Sequence, residues 1–246
     1  MASRTVLVAL TRHGATHAAH LASALPDADI LVTERFAGIC KAHSNRAIVY
    51  SGPLREQMAG LFTGYKRIVL FLSLGAVVRL IAPHLKSKAH DPAVLAVDDA
   101  ARFAIPVLAG HLGGANAFAE EVAGILQALP VITTASDVGG TIPVDILGRE
   151  LGWRVEADKE TLTRTAACVI NGEPVALIQE AGTRDWWTRS TPLPDNIHCF
   201  HEMAAVDPDQ FQALLWVTRR EVPLALAKQL QGKLVIYRPP ERSSHY

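Results

Sequence analysis

"TVLVALTRHGATHAAHLASALPDADILVT", residues 5–33, decides the fold class. The run TVLVAL (5–10) is apolar and carries the branched side chains of a buried strand. HAAHLASAL (17–25) spaces its apolar residues as a helix does, and Pro26-Asp27 ends it. ADILVT (28–33) is a second strand. Strand, helix, strand in this order is the repeating unit of a parallel sheet. The pattern continues outward. RAIVYS (46–51) reads as a short strand. PLREQMAGLFTGY (53–65) reads as a helix with Pro53 in its first turn and Gly64 near its end. RIVLFLS (67–73) is a buried strand, followed by Gly75 and the helix-like AVVRLIAPHL. AVLAVDD (93–99) and FAIPVLA (103–109) are strands with the turn-like DDAAR between them. A helix follows over roughly 115–129, then a strand over PVITTASD (130–137) and a helix over VDILGRELG (144–152).

After about residue 152 the pattern changes. KETLTRTAACVING is helical and PVALIQE is a strand. RDWWTRSTPLPDN is irregular, and IHCFHE, ALLWVT and KLVIYRP are further strands. The expected architecture is α/β: a doubly wound, mostly parallel sheet over 1–150, a second, smaller α/β domain over 151–240, and a tail over 241–246.

Composition narrows the function. The chain has 246 residues, 49% of them hydrophobic, with 24 basic residues balanced by 24 acidic ones. A sizeable core is available, and no global basic excess points to nucleic acid or to an anionic membrane. Cys40, Cys168 and Cys199 are widely spaced and form no CxxC pair, which excludes a disulfide framework and fits a reducing cytoplasm. The opening apolar run is too short for a signal peptide core, and no window reaches the length of a membrane span.

Chemistry concentrates in three glycine-bearing loops expected at the carboxyl ends of parallel strands, the edge where such sheets bind ligands. LSLGAVVR supplies Gly75 and Arg79. AGHLGGAN supplies Gly110, His111, Gly113, Gly114 and Asn116. TTASDVGGTIPVD supplies Thr133, Thr134, Ser136, Asp137, Gly139, Gly140 and Asp145. Glycine permits close backbone approach, and a following helix offers amides and a partial positive charge to an anionic oxygen. His111 and Asn116 can hydrogen-bond or transfer a proton, and Asp137 offers a carboxylate. GHLGGAN lacks the GxGxxG spacing, no Gly-Lys-Ser/Thr follows as in a Walker loop, and no GxSxG elbow occurs. The residues alone therefore give an anion-accepting α/β site, with tight packing of the glycines and helix capping by His111 as the plain alternative. A nucleotide-binding α/β protein is a more distant reading.

The stretch from LSLGAVVRLIAP through DPAV, GHLGGAN and VITTASD resembles the cobalt-precorrin-5A hydrolase family of cobalamin (vitamin B12) biosynthesis. The likeness is strong over about 53–152, weaker over 153–239, and a matter of pattern alone over 1–52. It implies a corrinoid substrate ringed by acetate and propionate groups, whose δ-lactone is opened and whose C20 carbon leaves with its methyl group as acetaldehyde. It implies no cofactor of the protein's own and no metal site, cobalt entering only with the substrate. Lactone opening needs a base and an oxyanion donor. His111 is the expected acid/base, Asp137 orients it or activates water, and Asn116 donates to the oxyanion; helix capping is the alternative for Asp137 and Asn116. Gly75, Arg79, Gly110, Gly113, Gly114, Thr133, Thr134 and Asp145 are the expected substrate-binding set. For Arg79 the alternative is a solvated side chain, for Thr133 and Thr134 a structural role, and for Asp145 the start of a helix.

Members of the family continue beyond YRPP into a third domain, and this sequence ends at Tyr246. The expected partners are a separate C-terminal-domain protein or a corrin methyltransferase, and a non-catalytic corrinoid-binding subunit is the second reading. His13, His17 and His20 fall on one helical face, where a solvated or capping cluster is favoured over a metal site. Trp186 and Trp187 are expected to pack in a core or between domains, and Asp98 and Asp99 to make a turn.

Overall fold

The computed structural model describes residues 5–40, 46–87, 90–110, 113–134, 139–189 and 191–241. By its internal contacts the chain divides into two compact units, Met1–Ile132 and Thr133–Tyr246. The division falls earlier than residue 150 because Ile142, Val144 and Leu147 are buried in the core of the second unit.

The first unit is a seven-stranded sheet in the order β3-β2-β1-β4-β5-β6-β7. Strands β1 (Thr5–Ala9), β2 (Ala28–Thr33), β3 (Ala47–Tyr50), β4 (Arg67–Phe71) and β5 (Ala93–Val97) are mutually parallel. β1 and β5 are buried at every residue, because helices cover both faces of the sheet. Helix α1 (Arg12–Ala24) is capped by Thr11, whose hydroxyl accepts from the Gly14 amide at 2.9 Å. Its buried Ala15, Ala18, Leu21 and Ala22 repeat at helical spacing and form one core with Leu7, Ile30, Phe71 and Leu95. The short α2 (Ala37–Cys40) and α5 (Ala115–Leu126) pack on that same face. On the other face the core gathers Met58 and Leu61 of α3 (Met58–Gly64) and Val77 and Ile81 of α4 (Leu74–Ile81).

β6 (Phe103–Leu108) departs from expectation. It pairs antiparallel to β5, Val97 facing Ala104 and Val94 facing Leu108. The link between them is a hairpin in which Asp98 Oδ1 accepts from the amides of Arg102 and Phe103, both at 2.7 Å. A parallel neighbour needs a crossover of a dozen residues or more, and this link has five. β7 is only Leu129–Pro130, parallel to β6, with one further bond from the Val131 amide to the Ala104 carbonyl. The strand expected over 130–137 is therefore short, and its residues 135–137 lie outside the described ones.

The second unit is a five-stranded sheet in the order β10-β9-β11-β12-β8. β9 (Val175–Gln179), β10 (Ile197–Phe200), β11 (Ala213–Val217) and β12 (Leu234–Arg238) are parallel, and β8 (Arg154–Glu156) is an antiparallel edge. Helices α6 (Lys159–Ile170) and α7 (Leu224–Gln229) flank it. The helix expected over 144–152 is instead a run of turns ending in a 3-10 turn at Arg149–Leu151. Gly148 stands there at φ +70°, with the Trp153 ring where a side chain would go. Trp186 and Trp187 pack half-buried against this unit's core.

Candidate functional site

The first sheet has two polar edges, and its connectivity decides which residues share one. The chain leaves β4 at the carboxyl edge of the parallel strands. It leaves β6 in the opposite direction, at their amino edge. Gly75 and Arg79 therefore stand across the sheet from Gly110, Gly113, Gly114 and Asn116, and the expectation that these loops share one rim is corrected.

At the amino edge Ala109 and Gly110 bond back to the residues that open α5. The Ala109 carbonyl accepts from the Gly113 amide at 3.0 Å and the Ala115 amide at 3.1 Å, and the Gly110 carbonyl accepts from the Asn116 amide at 3.1 Å. These amides are committed to the loop rather than open to an anion. The glycines are required by contact. A Cβ on Gly113 would lie 2.3 Å from the Ala109 Cβ, and one on Gly110 would lie 2.8 Å from the Asn116 Oδ1. Gly114 has φ +74°, a left-handed conformation that favours glycine. Asn116 is buried at the start of α5. His111 and Asp137 lie outside the described residues. Further along this edge, the Asp29 carboxylate accepts from Arg46 at 3.0 and 2.7 Å and from the Tyr65 hydroxyl at 2.5 Å. These bonds raise the Arg46 pKa. Arg67 reaches Glu121 at 3.7 Å and lies over the Phe118 ring.

At the carboxyl edge the strand order reverses between β1 and β4, the place where doubly wound sheets open a crevice. Asp99, from the β5–β6 hairpin, crosses the end of β4 to accept from the Thr11 hydroxyl and to meet His13 Nδ1 at 3.2 Å. The Thr11 bond, opposed by burial and aided by His13, holds the Asp99 carboxyl below the usual range. Helix α1 sits close because Gly14 has no side chain; a Cβ there would lie 3.1 Å from the Phe71 Cβ. His17 stacks on Phe71, ring centroids 6.4 Å apart. Among the described residues no cluster of three or more His, Cys, Asp or Glu side chains is placed to hold a metal ion. Arg79 folds back along α4 to the Gly75 carbonyl at 3.2 Å, over a glycine that leaves it room.

Thr133, Thr134 and Asp145 belong to the second unit. Thr133 is exposed and Thr134 half-buried. Asp145 is half-buried near the fully buried Tyr237, whose hydroxyl donates to the Val144 carbonyl at 2.7 Å. Burial first, then the Asp145 charge, pushes the Tyr237 pKa well up. The carboxyl edge of this sheet is closed by the Glu180 carboxylate, which accepts from the Thr218 hydroxyl at 2.8 Å and the Met203 amide at 3.1 Å, with Arg220 at 3.7 Å.

Sequence reasoning missed a feature of the first sheet's carboxyl edge. Arg12, Arg35 and Arg55 follow β1, β2 and β3, as Arg79 follows β4. All four are exposed, and among the described residues none makes an ion pair. One arginine after each of four successive strands was readable once the strands were placed.

Fold and edges together define a class: a doubly wound α/β unit with two polar edges, followed by a smaller α/β unit. Residues 56–137 match the family described as "Cobalamin synthesis G N-terminal", and residues 142–239 the one described as "Cobalamin biosynthesis central region". The chain belongs to the cobalamin biosynthesis G family. It is 40% identical over 233 residues to the cobalt-precorrin-5A hydrolase of Priestia megaterium, covering 95% of this chain and 62% of that one. It is 37% identical over 118 residues to the cobalt-precorrin-5A hydrolase of Salmonella typhimurium, covering 48% of this chain and 33% of that one. A crystal structure of a cobalamin biosynthesis protein G homologue from Sulfolobus solfataricus aligns at TM-score 0.47 and 18% identity, over 96% of this chain and 60% of that one. The chain thus spans less than two thirds of the length of each of these relatives. Among the described residues no helix is long and apolar enough to cross a membrane.

Proposed function

We propose that the chain acts in the cytoplasm on the corrin ring of cobalt-precorrin-5A. Water opens the δ-lactone, and the C20 carbon leaves with its methyl group as acetaldehyde, giving cobalt-precorrin-5B. The observation that carries this reading is 40% identity along 95% of the chain to a relative of that name. The chemistry needs a group that moves a proton and a donor for the developing oxyanion. His111 is the proposed acid/base, with Asp137 orienting it or activating water. Asn116, buried beneath Gly110, is its proposed third member. Gly110, Gly113 and Gly114 are the proposed substrate-binding glycines of the sequence stretch that carries His111 and Asn116. In this proposal the protein supplies no cofactor, and cobalt arrives in the ring.

The test is acetaldehyde release by the purified chain, followed by NADH oxidation with alcohol dehydrogenase. One equivalent per lactone is expected. Substrate binding without release, with release appearing on addition of a separate C-terminal-domain protein or a corrin methyltransferase, would replace the reading by that of a corrinoid-binding subunit. His111→Ala is expected to lower turnover about 100-fold or more while the fold persists. Unchanged turnover would remove His111 from the chemistry.

A further inference from the structure

The hairpin after β5 brings an acid to a histidine at the place where the strand order reverses. In the sheet register Ala9 pairs with Phe71, and Phe71 with Val97. Thr11 and Asp99 each lie two residues beyond Ala9 and Val97, on the strands either side of β4. Two strand spacings, about 10 Å, separate the ends of β1 and β5. The Asp99 carboxylate and the Thr11 hydroxyl close that gap over the end of β4.

The contacts form a chain with one end open. The Gly14 amide donates to the Thr11 oxygen at 2.9 Å, and the Thr11 hydroxyl donates to Asp99 Oδ1. Asp99 Oδ2 stands 3.2 Å from His13 Nδ1. An ionised carboxylate only accepts, so it holds the neutral imidazole with its proton on Nδ1. Nε2 then carries a lone pair, on a side chain that is 74% exposed. Among the described residues His13 is the one histidine within ion-pair distance of a carboxylate. A pair this exposed contributes little to stability. The same pair fixes the tautomer and angle of a base and stabilises the imidazolium that forms when the base takes a proton.

We propose that His13 is a general base for opening a lactone or carboxylic ester at this edge, with Asp99 as its positioning residue. Nε2 takes a proton from water as the water oxygen bonds to the acyl carbon. That proton passes to the ring oxygen as the acyl carbon–oxygen bond breaks, leaving a carboxylic acid and an alcohol. The choice of a δ-lactone rests on the proposed function, whose reaction moves protons in ring opening and in carbon–carbon cleavage. Ring opening is the step assigned to His13; the pairing with Asp99 rests on geometry alone.

The test uses the full chain and δ-valerolactone, the released acid being followed with an indicator dye. His13→Ala is expected to lower the rate of opening at least about tenfold. His20→Ala, exposed on the same helix, is expected to leave it unchanged. Asp99→Asn is expected to lower kcat with KM unchanged, and the double variant to be no slower than His13→Ala, because the two residues act as a unit. The positioning role has its own signature. In alkaline buffer, long-range ¹H–¹⁵N spectra should find the His13 proton on Nδ1, and Asp99→Asn should shift it towards Nε2. Opening unchanged in His13→Ala, an equal loss in His20→Ala, or a wild-type His13 proton on Nε2 would each overturn the proposal. Acetaldehyde release from cobalt-precorrin-5A is read separately. Release that survives His13→Ala overturns this assignment and keeps the hydrolase reading. Opening of δ-valerolactone that depends on His13, without acetaldehyde release, keeps the assignment and removes the hydrolase reading.

Discussion

Arginine occurs on both edges of the first sheet, in two different states. At the amino edge Arg46 is locked to Asp29 beside Tyr65, and Arg67 lies between Glu121 and the Phe118 ring. At the carboxyl edge Arg12, Arg35, Arg55 and Arg79 have no acidic partner among the described residues. A paired arginine has its hydrogen-bonding capacity committed to the fold. The exposed four lack such a carboxylate, and Arg79 spends one donor on the Gly75 carbonyl. Residue type is the same on both edges, so pairing, not residue type, sets what each arginine contributes to stability.

The glycines divide the same way, and here the largest effect is expected. Gly113→Ala forces a methyl into the Ala109 Cβ and carbonyl, at 2.3 and 2.9 Å, and should destabilise the protein by about 2 kcal/mol in urea unfolding. Gly75→Ala places its methyl 3.5 Å from Arg79 Nη1, an ordinary contact, and should leave stability unchanged or raise it by up to about 1 kcal/mol. Equal costs would erase the contrast between a packed loop and an open one.

Next in size is the amino-edge carboxylate. Asp29→Ala removes three hydrogen bonds to a side chain that is only 11% exposed, and should cost about 1–2 kcal/mol. Arg12→Gln and Arg55→Gln should each stay within about 0.5 kcal/mol by the same measurement. A large loss from either would mean that the carboxyl-edge arginines are structural after all.

The closed carboxyl edge of the second sheet sharpens the comparison through pH. Burial of Glu180 favours its neutral form, but the Met203 amide, the Thr218 hydroxyl and Arg220 outweigh it and hold the pKa below the ordinary value. A depressed folded-state pKa stabilises the protein above the unfolded value, about 4.3, and that contribution fades as pH falls through the folded one. Glu180→Gln should therefore flatten the acid limb of the stability profile below about pH 4.3, with no such change from Arg12→Gln.

Much of this was readable from residues. The boundaries of β2 and the helical spacing of α1 follow from apolar period and from Pro26 as punctuation, although α1 starts at Arg12 under the Thr11 cap, five residues before the expected start. The direction of β6 was readable too. The DDAAR link is too short for a crossover, so the strand after it had to reverse, and with it the edge on which Gly110 falls. The 144–152 segment was harder. Its apolar residues have helical spacing, yet Gly148 and Gly152 both adopt positive φ and break it into turns around Trp153. The bonds from the Ala109 and Gly110 carbonyls to the start of α5 were not readable, because carbonyl partners depend on the path of the backbone. Placing the four exposed arginines on one edge required the strand directions, which local pattern does not supply.

The division between the edges is tested most directly by urea unfolding of Asp29→Ala beside Arg12→Gln. The account predicts a loss of about 1–2 kcal/mol for the first and less than about 0.5 kcal/mol for the second. Equal losses would contradict it.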